Sequence, residues 1–405
     1  MHKNITQSRK VLLLIESSRG NVYDFLSGIS KYADEHGPWL FHFGEPGPFY
    51  RKGQDKIVRK STFWPPQWTP SGVITCNYDL TRKYTDKRIP TILTTESNSE
   101  GSNLPKIVID HDEIGRMAAK EYLNRGYRYF GYCGFDEYIW SVKRGNSYKK
   151  YLEDKGFEVY RYQPVKPNSS RRWEKERIAL AKWLHGLPKP IGIFTCDDTR
   201  GRDVIEICSL EQCEIPGQVA VLGADSDSII CNSCSPPLSS IKLDFINAGY
   251  KAAELLDKLM RGEKPSLETI LVHPLEVETR RSTDITAVHD TDVKEAIRFI
   301  HNHIYENIQV NDVVYAISVP KRKLQDKFYA LLGRTISEEI KRIRADKISQ
   351  MLLKTDMSVQ QITLKFGHYG LRHVARFYKR QTGLTPTEFR HKYGRGRLKM
   401  IRVYN

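Results

Sequence analysis

Two different rhythms of apolar and polar residues divide the chain. Over the first 280 positions, short apolar runs alternate with stretches whose apolar residues recur three or four apart. Lys10–Ile15 (KVLLLI) predicts a short strand buried on both faces. Val22, Phe25, Leu26, Ile29 and Ala33 then fall on one face of a helix over Val22–Glu35. The same reading predicts strands at Ser71–Cys76, Pro90–Leu93, Lys106–Asp110, Tyr129–Cys133, Ile191–Thr195 and Val219–Gly223. Helices are expected at Glu113–Arg125, Asn146–Lys155, Gly201–Ser209 and Ala248–Met260. Strands alternating with helices predict parallel sheets with right-handed crossovers. The length is too great for one sheet, so two α/β lobes are expected.

Between Glu278 and Asp292 both rhythms stop and Ser, Thr and Asp take over, the pattern of a linker. Beyond it only the helical period remains, at Val293–His303, Val310–Ala316, Pro320–Leu331, Ser337–Leu353, Val359–Lys365, Leu371–Gln381 and Pro386–Tyr393. This part repeats itself: Phe328, Gly333 and Thr335 recur 50 residues on as Tyr378, Gly383 and Thr385. Val310 and Val313 recur 49 residues on as Val359 and Ile362. Each copy is a short helix, a tight turn and a basic helix, which is helix-turn-helix patterning. Ser318 is the expected N-cap of the first basic helix, followed by Pro320, Lys321, Arg322, Lys323 and Lys327. The second copy turns at Gly367 and presents Tyr369, Arg372, His373, Arg376 and Lys379.

Charge sharpens the division. The net charge is +16 over 405 residues, and residues 290–405 carry +12 of it, from 23 Lys and Arg against 11 Asp and Glu. A cationic surface so placed selects a polyanion, and double-stranded DNA fits the repeated basic helices. A solvated basic face is the alternative for either copy alone. No apolar run approaches the length of a membrane span. Seven cysteines make no disulfide framework and fit a reducing compartment. Cys208, Cys213, Cys231 and Cys234 suit packing better than a zinc site, and His301 and His303 point apart on a helix. No metal or cofactor is expected.

The basic part resembles the AraC-type DNA-binding domain. The resemblance rests on Ser318-x5-Leu324-x3-Phe328, Arg344-x3-Ile348-x2-Met351-Leu352, Val359-x2-Ile362-x4-Gly367 and Phe377-Tyr378-Lys379-x3-Gly383-x-Thr385-Pro386-x2-Phe389-Arg390. The chain departs from the family pattern at Ala316, Thr363, His368, Gly370 and Val374. The resemblance implies that DNA is read by Pro320, Lys321, Arg322 and Lys323 in one copy, and by Tyr369, Gly370, Arg372, His373 and Arg376 in the other. Guanidinium groups suit guanine edges, and ammonium groups suit phosphates.

The first part resembles the effector domain of LacI-type regulators. The carriers are Pro216-x2-Val219-Ala220-Val221-x-Gly223-x-Asp225, Pro237-Leu238-Ser239-Ser240-Ile241 and Gly249-x2-Ala252-Ala253-x-Leu255. The helix-turn-helix that LacI-type proteins place before this fold is not expected, since about ten residues precede the first strand. The two resemblances imply an α/β two-lobed periplasmic-binding-protein-like domain of type I at residues 10–280. A linker at 281–291 and an all-α domain with two helix-turn-helix motifs at 292–395 follow, then a basic tail at 396–405. That order, with the junction Glu278-Thr279-Arg280-Arg281-Ser282-Thr283-Asp284, resembles the XylR-type family of xylose-responsive activators.

A sugar site needs hydroxyl-accepting carboxylates, a donating arginine and an aromatic ring cover. The resemblance places Asp198 and Asp225 in loops after strands, with Arg144 as the gripping arginine and Trp140 as the ring cover. Arg19, Tyr23 and Tyr78 follow the first and second predicted strands. A helix cap is the competing role for Asp198, and core packing for Trp140. Hinges are expected near Ile109–His111, Lys242–Asp244 and His273–Leu275.

The function implied is a cytoplasmic, sugar-responsive activator. Its partners would be promoter DNA, D-xylose or a related pentose, a second copy of the chain and, for an activator, RNA polymerase. Two other classes remain open here: an enzyme acting on sugar or DNA with the basic part as a targeting module, and a structural DNA-binding protein. The enzyme reading lacks a Walker loop, a nucleophile elbow, an HExxH motif and a GxGxxG after a strand.

Overall fold

The computed structural model describes residues 8–15, 20–44, 69–94, 103–165, 172–263, 269–284, 290–366 and 371–393. Two six-stranded sheets make up the first domain. The first lobe holds β1 (Arg9–Leu14), β2 (Trp39–Gly44), β3 (Gly72–Thr75), β4 (Thr91–Leu93), β5 (Lys106–Ile109) and β11 (Thr269–Val272). Its order is β11-β5-β4-β3-β1-β2, every pairing parallel. The second holds β6 (Tyr129–Cys133), β7 (Val159–Arg161), β8 (Ile191–Thr195), β9 (Val219–Ala224), β10 (Ser239–Leu243) and β12 (Pro274–Glu278). Its order is β12-β10-β9-β8-β6-β7, and only β12 runs antiparallel to its neighbour.

The helices between these strands are α1 (Gly20–His36), α2 (Thr81–Thr85), α3 (His111–Asn124), α4 (Ile139–Glu153), α5 (Arg172–His185), α6 (Asp198–Leu210), α7 (Ser228–Ser233) and α8 (Phe245–Met260). The central strands β3, β8 and β9 are buried along their whole length, as their unbroken apolar runs require. Helices α1 and α8 touch backbone to backbone, because a Cβ at Gly28 or Gly249 would overlap the facing helix.

The chain passes between lobes three times, at Asp110, Asp244 and His273. The crossovers are tied side by side. Asp110 N donates to Val272 O at 3.0 Å, Asp244 N donates to His273 O at 2.9 Å, and the His273 ring meets Asp110 at 3.1 Å. All three lie within or beside the segments expected as hinges.

Several elements differ from expectation. Helix α6 begins at Asp198, three residues early, because Asp197 caps it by accepting from Arg200 N at 2.8 Å. Helix α4 begins at Ile139, which puts Arg144 well inside it. Strands β2, β7, β10, β11 and β12 and helices α2, α5 and α7 escape the hydrophobic reading. The strands are short or lie at sheet edges, where one face stays polar. Ser282 and Thr283, the first part of the expected linker, are fully buried on the second lobe. Ser282 Oγ donates to Val221 O at 2.6 Å and accepts from Ser239 N at 2.8 Å.

The second domain comprises α9 (Thr291–His303), α10 (Val310–Ile317), α11 (Lys321–Leu332), α12 (Ile336–Lys354), α13 (Val359–Lys365), α14 (Leu371–Thr382) and α15 (Pro386–Tyr393). It has two small cores. One gathers Ile297, Ile300, Val313, Leu324, Phe328 and Ile340, the other Ile348, Leu352, Ile362, Phe366, Val374 and Tyr378. Helix α12 contributes to both.

The repeat has a local physical cause. Helix α11 ends on Gly333 at φ 68° and α14 is followed by Gly383 at φ 82°, left-handed positions that favour glycine. Two residues later Thr335 and Thr385 start the next helices through identical boxes. Each threonine Oγ1 accepts from the N–H of Glu338 or Glu388 at 3.2 Å, and each glutamate accepts from the threonine N–H at 2.7 Å. Ser318 does not cap α11 as expected. It closes α10 at φ 56°, and Pro320 is the cap residue, because the turn needs a left-handed residue there. The matching Gly367 lies outside the described residues.

Candidate sensor pocket and DNA-reading surface

At the carboxyl ends of β8, β9 and β10 the second lobe gathers a cluster of buried charge, where open parallel sheets place ligands. Arg144 reaches it from α4 and is 1% exposed. Its Nη2 donates to Asp225 Oδ1 at 2.8 Å, its Nη1 to Cys196 O at 2.5 Å and its Nε to His111 Nδ1 at 3.2 Å. Its guanidinium carbon lies 5.4 Å from the Trp140 ring centroid, and Tyr138 stacks on that indole at 5.6 Å. Burial works against the charged guanidinium, but the facing Asp225 outweighs it and keeps Arg144 protonated.

Asp225 follows β9 with φ 101°, and Ser226 follows with φ 53°. Two successive side-chain-bearing residues with positive φ are costly, and such strain collects at binding loops. The bend is held by Ser226 N donating to Ser240 Oγ at 3.0 Å and Ser226 Oγ donating to Glu278 at 2.8 Å. Asp198 sits beneath, 2% exposed, accepting from Ser240 Oγ at 2.5 Å and Asp227 N at 2.7 Å. Burial, then the charge of Asp225, push its carboxyl well above the usual carboxylate range. Its side chain does not cap a helix, since Asp197 does so.

The structure thus brings together Arg144, Asp225, Asp198 and Trp140. It does not join Tyr23 or Tyr78 to them. Tyr23 is 62% exposed on α1, Tyr78 is half-buried at a turn after β3, and Arg19 lies outside the described residues. His111, Ser240 and Glu278 were missed. Ser240 stands in the Pro237–Ile241 motif and His111 in an expected hinge, so both carried a signal. Glu278 opens the junction motif, which marked a domain boundary and not a place beside the charge cluster.

On the second domain Pro320 starts α11 and exposes Lys321, Arg322 and Lys323 at its first turn. Lys321 Nζ donates to Asn311 at 3.0 Å. Lys327 follows on α11, and its ammonium pairs with Asp290 at 2.6 Å and Asp292 at 2.5 Å at the start of α9. Arg372, His373, Arg376 and Lys379 are exposed on α14, opposite the buried Val374 and Tyr378. Arg380 joins them. Tyr369 and Gly370 lie outside the described residues.

Comparison with known proteins agrees with this division. Residues 119–283 match the family model for a periplasmic binding protein-like domain, and residues 314–392 that for a helix-turn-helix domain. The chain is 25% identical over 395 residues to a xylose operon regulatory protein of Escherichia coli K12, covering 95% of this chain and 97% of that one. A protein of the same description from Haemophilus influenzae is 28% identical over 308 residues, 75% of this chain and 79% of that one. The solved structure of a xylose-binding transcription activator, xylR, shares the fold with TM-score 0.59 and 23% identity, over 96% of this chain and 100% of that one.

These matches define the class: a transcriptional regulator with a periplasmic-binding-protein-like sensor and an AraC-type DNA-binding domain. Within it the chain is similar over nearly its whole length to the xylose operon regulatory proteins, with the sensor first and the reader last. Its full-length relatives are regulators and not enzymes, so the enzyme reading falls. No helix among the described residues is long and apolar enough to cross a membrane.

Proposed function

We propose that this regulator senses a pentose, with D-xylose the first candidate, between the sensor lobes and activates pentose-utilisation genes from the cytoplasm. The observation that carries the reading is the buried Arg144–Asp225 pair beside Trp140 at the carboxyl ends of β8 and β9. It offers a donor fork, carboxylate acceptors and an aromatic ring, the three things a sugar asks for. The two xylose operon regulatory proteins quoted above support the choice of sugar.

In this reading Lys321, Arg322 and Lys323 enter one major groove segment, and Arg372, His373, Arg376 and Lys379 the next. Pro320, at the start of α11, sets the entry of the first group, and Tyr369 and Gly370 precede the second. Two copies of the chain pair on a promoter, and the bound pair contacts RNA polymerase. Calorimetric titration with a pentose panel tests the sensor. D-xylose or a close relative gives saturable heat and raises the Tm with concentration, as mass action requires. A panel that gives no heat with any pentose overturns the reading.

A further inference from the structure

Sensor and reader are joined by an exchange of arginines. Helix α3 of the sensor ends at Asn124, whose carbonyl accepts from Arg334 Nη2 of the reader at 2.5 Å. Helix α11 of the reader ends at Leu332, and the carbonyls of Ala330 and Leu331 accept from Arg128 Nη2 of the sensor at 3.3 and 3.2 Å. Each helix thus has carbonyls of its last turn, which lack partners within the helix, satisfied by a cation from the other domain. That sign suits the negative end of a helix dipole.

The seam is braced on both sides. Arg334 Nε also donates to Glu339, which is 1% exposed and held again by Arg342 at 2.9 and 2.8 Å. Arg125, one residue beyond α3, donates to Thr283 O at 2.5 Å and Thr279 Oγ1 at 3.1 Å. This fixes the same helix end to the segment that follows β12 on the way to the reader.

The opposite end of α3 lies at the pocket. His111, its first residue, accepts from Arg144. Asp110, its cap, sits at a lobe crossover. A Cβ at Gly115 would lie 2.7 Å from Arg144 O and 2.6 Å from Tyr148 N, so α3 and α4 touch backbone to backbone beside the gripping arginine. A close-packed contact of this kind passes on displacement and does not absorb it. With 14 residues, α3 spans about 20 Å.

We propose that α3 is the transmission rod of the protein: it carries the state of the pocket at Arg144 to the first DNA-reading helix through the Arg128 and Arg334 exchange. The sugar arm of the test rests on the functional reading above, and the exchange arm does not. The full chain is compared with Arg128→Ala/Arg334→Lys, in which lysine keeps a charge for Glu339 but cannot span both acceptors, and with His111→Ala at the far end. Without sugar, hydrogen exchange in residues 329–333 is expected to quicken at least tenfold in both variants, with α14 unchanged. Binding to a duplex selected by the full chain from a random pool is then titrated with and without D-xylose. The double variant keeps its D-xylose affinity within twofold but loses at least fivefold of the sugar-dependent change in DNA affinity. Unchanged exchange at residues 329–333 in either variant, or an undiminished sugar effect in the double variant, overturns the proposal. If the unaltered chain shows no D-xylose heat, the sugar reading alone fails, and the exchange arm still decides the rod.

Discussion

The two domains handle charge in opposite ways. In the sensor the important ions are buried and matched by opposite charge: Arg144 with Asp225, and Arg200 with Glu176 and Asp203. On the two basic helices of the reader they are exposed and of one sign, at Lys321, Arg322, Lys323, Arg372, Arg376 and Lys379. A buried pair gains little net free energy, because desolvation offsets attraction, but it fixes geometry. An exposed cationic face contributes little to folding and stores its free energy for phosphates. The sensor uses charge to define a shape, and the reader uses it to attract a partner. The same substitution should therefore fail differently in the two places.

The largest effect is expected in the sensor. Arg144→Ala takes from Asp225 its arginine partner and opens a cavity beside Trp140, a loss of about 3–5 kcal/mol in chemical unfolding together with loss of sugar binding. Wild-type stability in that variant would mean that the pair has no structural weight. Next comes Arg322→Ala, with a folding midpoint unchanged but about 1–3 kcal/mol lost on DNA, concentrated at one base position. An equal loss on every sequence would make Arg322 a phosphate contact.

Thr335→Ala removes a capping box of the repeat and costs about 1 kcal/mol of reader stability by thermal melting. The smallest effect separates two lysines. Lys323→Ala should lower the slope of log affinity against log salt by about 1. Lys327→Ala should leave the slope unaltered, because its ammonium is already held by Asp290 and Asp292.

Acid adds a check on the seam. Burial pushes the Glu339 carboxyl up, but Arg342 and Arg334 outweigh it and hold the group below its usual value. A depressed folded value means that its contribution is present above the unfolded value, about 4.3, and fades as pH falls through the folded one. The full chain with Glu339→Gln should accordingly lose less stability in acid than the unaltered chain.

The same contrast explains what could be read in advance. The reader was legible because its signals are local. Helix period, the Gly-x-Thr punctuation and runs of lysine and arginine all lie within a few residues, and Val359–Lys365 and Pro386–Tyr393 match their expected bounds. The ion pairs of Lys327 were not legible, because its partners are the cap and first turn of α9, 37 and 35 residues back. Sensor strands with unbroken apolar runs, such as Ile191–Thr195, were equally plain. Edge strands were not, since one exposed face hides their period.

In the buried charge cluster, Arg144 and Asp225 are 81 residues apart, and nothing in the chain between them states that they meet. Only the resemblance to LacI-type proteins brought them together. His111 was marked as part of a hinge, but its contact with Arg144 needed the fold itself, because the carbonyl end of β5 and the middle of α4 become neighbours only once α3 packs on α4.

Helix α12, 19 residues without interruption and shared by both small cores, spans about 28 Å. A strut of that kind sets the phase of the two recognition helices before any DNA is present. Adding even one base pair between the two segments they read would rotate the second by roughly a tenth of a turn, which such a strut cannot follow. The regulator should consequently tolerate base changes at its promoter more readily than insertions.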